Sequence, residues 1–372
     1  MSYPNALFST FAFVGFMMCL VTFPWQLEAW NSGTCVFMIW AGLGCLNLFI
    51  NSIVWSHNAI NWSPIWCDIS TKFSIGLNVA VPAAGLCIAR RLYHISSLQS
   101  VTVTQDVKRR HVLVDLLIGI GLPVLEMILH YIVQGHRFDI FEDVGCVPST
   151  YFTPVALVIV TLPPLIIGLI SAVYATLNIV QFRRLRSRIN EFPGYSNLTT
   201  TRFLHFMCLS SAEIMFTVPL AAYNLYVAIS IMNPWISWAD THYDFSRVEL
   251  VLAYFWRQDP NTVRVIEFNR WVVVFCAFVF FAFFGLTAQS RKNYSLLFRV
   301  VFRRVNLFSL RMAQRANLTP LAFQSAGKRR DDTDITPSTQ HTRNDCLGEL
   351  SYAEKGPTST YEGTDSHNSH IQ

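Results

Sequence analysis

Long apolar runs separated by short polar breaks dominate the first 290 positions of the chain. Seven of them stand out: Ala6–Phe23, Cys35–Trp55, Cys67–Ala89, Val112–Val133, Pro154–Val180, Phe203–Ile231 and Trp271–Ala288. Each is close to the roughly 20 residues that a helix needs to cross a hydrocarbon core. They are continuously apolar rather than alternating, which predicts helices and not barrel strands. Turn residues fill the breaks: Pro24, Asn31-Ser32-Gly33, Ser63-Pro64, Gly135, Pro193-Gly194, Asn233-Pro234 and Asp259-Pro260. The first run lacks a basic flank and a small-residue cleavage site, so it reads as a retained helix. The pattern predicts an all-α membrane protein with a seven-transmembrane helix bundle.

Composition agrees with that pattern. Of 372 residues, 52% are hydrophobic and only 14% charged, with 29 Phe and 10 Trp. A soluble chain carries about 25% charged residues. Disordered, collagenous and small disulfide-scaffold classes are excluded.

Lys and Arg in the short loops set the orientation. Segment 90–111 holds Arg90, Arg91, Lys108, Arg109 and Arg110 against Asp106, and segment 181–202 holds Arg183, Arg184, Arg186, Arg188 and Arg202 against Glu191. Segments 134–153 and 232–264 are acidic by comparison. The basic loops are therefore expected in the cytoplasm, the N-terminus outside and the C-terminal tail inside. Loop 24–34 has neither Lys nor Arg and does not contribute.

That topology leaves only Cys67 and Cys146 facing an oxidising compartment, and they are expected to form a disulfide over the helix mouth. Asn61-Trp62-Ser63 is a glycosylation sequon on the same side. Charges within spans are costly and face the bundle interior. Asp68 and Lys72, spaced i,i+4, suggest a local ion pair. Lys72 and Glu126 are also candidates for a ligand pocket in the outer half, and Glu213, six residues before Pro219, for a switch. Pro82, Pro123, Pro163-Pro164 and Pro219 each remove a helical hydrogen bond.

Residues 291–312 alternate basic and apolar positions at helical spacing, which predicts an amphipathic segment on the inner leaflet rather than a nucleic-acid-binding run. Residues 313–372 read as a disordered cytoplasmic tail. No phosphate-binding loop, His-Glu-x-x-His or Cys-x-x-Cys occurs. The last span has no lysine for a retinal Schiff base, and no third ligand is evident beside His130 and His136. No enzyme activity, cofactor or metal is expected.

Several strings carry a family resemblance. Trp66-Cys67-Asp68-Ile69-Ser70-Thr71-Lys72 opens the third span, and Ala89-Arg90-Arg91-Leu92-Tyr93 closes it. Gln134-Gly135-His136-Arg137-Phe138-Asp139-Ile140 and Glu142-Asp143-Val144-Gly145-Cys146 follow the fourth. Pro234-Trp235-Ile236-Ser237-Trp238-Ala239-Asp240-Thr241-His242 and Phe245-Ser246-Arg247-Val248 make up the third outer loop. Over roughly residues 5–305 the chain resembles the fungal a-factor-type mating-pheromone receptors, especially those of basidiomycetes, which are G-protein-coupled.

The resemblance implies a multi-pass plasma-membrane receptor, core 1–290, for a farnesylated peptide pheromone. It also implies coupling to a heterotrimeric G protein and a mating MAP-kinase cascade. The acidic and aromatic outer loops are the expected readers of the peptide: Asp139, Glu142 and Asp143 in one, Trp235, Trp238, Asp240, His242, Asp244 and Arg247 in the other. The inner cations Arg90, Arg91, Lys108, Arg109, Arg110, Arg183, Arg184, Arg186 and Arg188 are the expected G-protein contacts. Membrane lipid is a further partner, and homodimerisation is left open. The competing reading is a secondary transporter, which would show inverted repeats with charges at matching midplane positions.

Overall fold

A computed structural model describes residues 3–28, 31–97, 105–189, 215 and 217–286. Glu213, the amphipathic segment 291–312 and the tail 313–372 lie outside the described residues, as do the side chains of Lys108, Arg186 and Arg188. Six helical stretches are long and apolar enough to cross a membrane: Asn5–Leu27, Ser32–Val54, Pro64–His94, Arg109–Val133, Pro154–Arg184 and Pro260–Phe284. The run Phe203–Ile231 is described only from 215 onward, and there 217–230 is helical.

Helices α1 (Tyr3–Glu28), α2 (Ser32–Val54) and α3 (Pro64–Ser97) open the bundle. Of the six stretches, the α3 one is the most enclosed. Its Ala80, Ala83, Ala84 and Ala89 are fully buried, and such small side chains let neighbouring helices approach closely. The main core lies where α1, α2 and α3 meet the last helix, α11 (Pro260–Phe284). Phe37 of α2 stacks on Phe280 of α11 with ring centroids 5.2 Å apart. On the far flanks Leu117, Ile128, Val158 and Val173 are about 60% exposed. In water that surface would be an aggregation liability; in hydrocarbon it is the expected lining.

Prolines shape the fourth and fifth spans. The fourth runs as α4 (Gln105–Leu116), a π-turn (Leu117–Gly121), α5 (Leu122–Leu129) and a 3-10 turn (His130–Val133). Pro123 has no N–H for the carbonyl of Gly119, four residues back, and the helix widens just before it. The Trp40 indole Nε1–H donates to the Gly119 carbonyl at 2.9 Å instead. The fifth repeats the device: α6 (Pro154–Ala156), a π-turn (Leu157–Thr161), then Pro163-Pro164 within α7 (Leu162–Ile189). Asn178 of α7 donates to the α3 carbonyl of Ala89 at 2.9 Å. By contrast α3 runs on as one helix through Pro82.

Three short strands cap one end of the bundle. β1 (Phe138–Phe141) pairs antiparallel with β2 (Gly145–Val147) and parallel with β3 (Val248–Val251), giving the order β2-β1-β3. Phe138 and Ile140 point inward onto Trp55, Ala59 and the Cys67–Cys146 pair, forming a second small core. Helix α8 (217–230) leads to α9 (Trp238–Thr241), and α10 (Ala253–Trp256) joins β3 to α11.

The last span starts eleven residues earlier than the apolar run Trp271–Ala288 suggested. Asp259 caps it, accepting from the amides of Asn261 and Thr262 at 3.1 Å each. The hidden part contains Arg264, Glu267 and Arg270, whose charges broke the run. Arg270 is nonetheless buried, lying 3.9 Å over the Phe8 ring and donating to Asn5 and Glu267.

Candidate functional site

At the capped end, the bridge Cys67–Cys146 ties β2 to the start of α3. The β1–β2 turn needs left-handed backbone, with φ +68° at Asp143 and +97° at Gly145. A side chain at Gly145 would collide with Asn51, whose Cβ lies 2.5 Å from where its own Cβ would stand. Strain at Asp143 is offset by its buried carboxylate, which accepts from the His57 amide at 3.1 Å and from Arg257 at 2.8 Å. Glu142 accepts from the Ala253 amide at 2.7 Å, and its carbonyl accepts from the Trp256 indole. These two acids hold the loop before α11 against the β1–β2 turn.

Asp139 points to the outer face of the sheet, bonded to His136. Its sheet neighbour is Glu249, which pairs with Arg247 at 2.9 Å. Burial raises the Asp139 carboxyl above the ordinary aspartate range, while the His136 bond and Arg247 pull it down. Donor atoms of His136, Asp139 and Glu249 lie within 4.8 Å of one another, an arrangement that could hold a metal. The grouping is already satisfied without one. His136 donates to Asp139 through Nε2, and its Nδ1 accepts from Ser149 and Arg247, so Arg247 supplies the positive charge. His130, considered with His136 on sequence grounds, belongs to a different cluster.

That second cluster lies below the sheet. Lys72 does not pair with Asp68, contrary to the i,i+4 expectation. Arg137, brought over α3 by the β1 loop, takes both Asp68 oxygens at 2.9 and 2.6 Å. Lys72 turns to Gln134 at 2.7 Å and His130 at 3.2 Å, and His130 reaches Thr150 at 2.9 Å. Among the described residues no carboxylate lies within ion-pair distance of the Lys72 ammonium. One turn from His130, Glu126 is 5% exposed, and its Oε1 has no hydrogen-bond partner among the described residues. Lys72 and Glu126 are thus two ionisable side chains held in the bundle with no oppositely charged group in contact among the described residues, an arrangement that a ligand could change.

The remaining candidates sit on the second part of the cap. Trp238 is half exposed and stacks on His242 at 4.0 Å. The two ring nitrogens of His242 face the carbonyls of Trp238 and Tyr131 at 2.9 and 3.0 Å, and the protonated one donates to the carbonyl it faces, which sets α9 beside the fourth span. Asp240 and Asp244 are exposed, Asp244 at φ +49°, and Trp235 is half-buried. An apolar cleft of about 150 Å³ opens sideways between α2, α3 and the first π-turn, lined by Val36, Ile39, Trp40, Leu43, Phe73 and Ile120.

At the opposite end the six predicted cations with described side chains divide. Arg109, Arg110, Arg183 and Arg184 are exposed. Arg90 and Arg91 instead converge on Asp115, which the apolar run of the fourth span had concealed. Arg90 reaches one Asp115 oxygen at 2.6 Å, and Ser32 donates to the other at 2.5 Å. Arg91 donates to the Ser32 hydroxyl at 3.0 Å and approaches Asp115 to 4.0 Å.

The sequence pattern of the STE3 family, described as pheromone A receptor, matches residues 7–305. The chain belongs to that family. The chain is 44% identical over 309 residues to the Pheromone B alpha 3 receptor of Schizophyllum commune, covering 82% of this chain and 49% of that protein. Pheromone receptor 1 of Mycosarcoma maydis is 30% identical, with 80% and 84% covered. The Pheromone a factor receptor of Saccharomyces cerevisiae is 25% identical, with 81% and 63% covered. The receptor thus spans about half the length of the Schizophyllum proteins. Its relatives are named as receptors, not enzymes, and the chain is a multi-pass membrane protein of the same family.

Proposed function

We propose that the receptor sits in the plasma membrane with seven spans, N-terminus outside, binds a farnesylated peptide pheromone and activates a heterotrimeric G protein feeding a mating MAP-kinase cascade. The single observation that carries this reading is the family match across residues 7–305, which takes in the cap and the basic end together. On this orientation the sheet is the outer lid and the arginines lie in the cytoplasm.

The ligand's two parts call for different partners. A 15-carbon isoprenoid gains up to about 0.8 kcal/mol per buried methylene-sized unit, but it gains much of that in the bilayer alone. Lipid burial therefore concentrates the pheromone and discriminates little. Discrimination falls to the peptide, where complementary charge speeds encounter and rejects wrong partners. Asp240, Asp244, Trp235, Trp238 and Arg247 are the groups on the lid with surface to offer. Glu142 and Asp143 act there through the shape they impose, and Asp139 and His242 through the contacts that hold the lid down. Lys72 and Glu126 meet the lipidated end beneath it. Pro219, exposed in α8, provides the break about which the sixth span moves, with Glu213 as its switch.

The test is co-reconstitution with a Gαβγ heterotrimer and synthetic farnesylated, methyl-esterified peptides, scored for nucleotide exchange. Peptide-dependent exchange is expected. Uptake of peptide into vesicles with no exchange would favour a transporter instead.

A further inference from the structure

Asp115 is the one acid among the described residues at the basic end that is completely buried, and the side chains around it come from α2 and α3. Arg90 comes from the end of α3, at 2.6 Å; Ser32 from the first turn of α2, at 2.5 Å; Arg91 stands behind Ser32, 4.0 Å from the carboxylate. Arg90 also donates to the His111 carbonyl at 3.4 Å, and the Cys87 thiol to the Asp115 carbonyl at 3.5 Å. The side chains of Arg90 and Arg91 are only 14% and 28% exposed, whereas Arg109, Arg110, Arg183 and Arg184 are open.

We infer that Asp115 is a positioning residue that withholds Arg90 from the G protein in the resting receptor, with Arg91 as the cation that stays on it when Arg90 is released. The inference rests on the coupling role proposed for those arginines. A buried carboxylate cannot be left uncompensated, so a device that releases one cation must keep another at hand. Arg91 is that second cation: Ser32 already links it to the Asp115 oxygen that Arg90 does not use. Release of Arg90 toward the cytoplasm then exchanges one ion pair for another instead of abolishing both. The same three-way contact joins α2, α3 and α4, so moving α3 against α4 is what opens it. Helix movements of one to two ångströms are enough to break contacts of this length.

The receptor reconstituted with Gαβγ provides the test, read as basal nucleotide exchange at matched surface or reconstituted receptor levels. Asp115→Asn is expected to raise basal exchange at least fivefold with pheromone binding retained, whereas Asp115→Glu, which keeps the charge, stays near wild type. A merely structural role would lower exchange, not raise it. Unchanged or reduced basal exchange in a well-assembled Asp115→Asn receptor overturns the inference, and so does an equal rise in Asp115→Glu. If Asp115→Asn does not assemble, Ser32→Ala decides: it removes the bond to Asp115 and the one from Arg91 and leaves the Arg90 pair. About a twofold rise supports the clamp, and no rise overturns it. Wild-type receptor with farnesylated peptide is run alongside. Absence of any exchange there counts against the coupling reading itself; exchange there with no rise in the variants counts against the clamp alone.

Discussion

The two ends of the bundle handle charge in opposite ways. At the capped end a disulfide, a three-stranded sheet and ion pairs spread over several elements fasten two loops to each other and to α3. At the basic end one buried carboxylate gathers α2, α3 and α4, and the other described cations stand open. The first arrangement resists change and the second concentrates it at a single group. On the function proposed above, a fixed surface would face the ligand and a changeable one the G protein.

The bridge gives the strongest handle on the capped end. Cys67→Ser or Cys146→Ser opens a loop with a sequence separation of 79 residues, worth roughly 4–5 kcal/mol in the chain-entropy picture and less with both helices anchored in a bilayer. Expected is a loss of surface receptor or at least a tenfold loss of pheromone affinity, measured by labelled-peptide binding. Wild-type affinity with both thiols shown to be reduced would mean that the sheet holds the lid unaided.

Two ion pairs in the cap sharpen the comparison between buried and exposed charge. Asp143→Ala removes a buried acceptor from the His57 amide and from Arg257 and leaves a strained left-handed residue behind. It should cost about 2–3 kcal/mol, read as a lowered melting temperature in detergent. Asp68→Asn breaks a bidentate pair with Arg137 whose side chains are 42% and 37% exposed. Solvent screening limits that loss to less than about 1 kcal/mol. Equal losses for the two variants would show that burial is not what makes the Asp143 contact matter.

How much of this was legible in the sequence follows from the physics of each part. Six apolar runs became spans because continuous hydrophobicity over about 20 residues has few other outcomes. The sheet was hidden: Phe138–Phe141 is four residues long, and its parallel partner Val248–Val251 lies more than a hundred positions away. Asp68 and Lys72 sit at pairing distance along α3, yet the β1 loop delivers Arg137 to Asp68. The opening of the last span and the Asp115 cluster escaped the sequence pattern for one reason: part of what meets a charge inside a bundle comes from residues remote in sequence. Arg270 meets Asn5, and Asp115 meets Ser32 and Arg90. An acid or base inside an otherwise apolar run was the signal that could have found both.

A smaller effect is expected at Asp259, which starts α11. The Thr262 hydroxyl, followed by the Asn261 and Thr262 amides, holds its carboxyl below the ordinary aspartate range. The contribution of this cap is therefore complete above the ordinary carboxylate range and is lost as pH falls through the depressed value. Protection of the Asn261 and Thr262 amides, taken relative to the intrinsic exchange rate at each pH, should fall on acidification in the wild type and be low at every pH in Asp259→Ala.

The division between a fixed cap and a releasable base is most directly tested by hydrogen–deuterium exchange of the full receptor in nanodiscs, with and without farnesylated peptide and Gαβγ. Peptide and G protein together should raise exchange in segments 87–97 and 105–116, where α3 and α4 meet Asp115. Segments 138–147 and 248–251 should stay protected throughout. Opening of the two sheet segments on ligand addition, with 87–97 and 105–116 unchanged, would contradict the account.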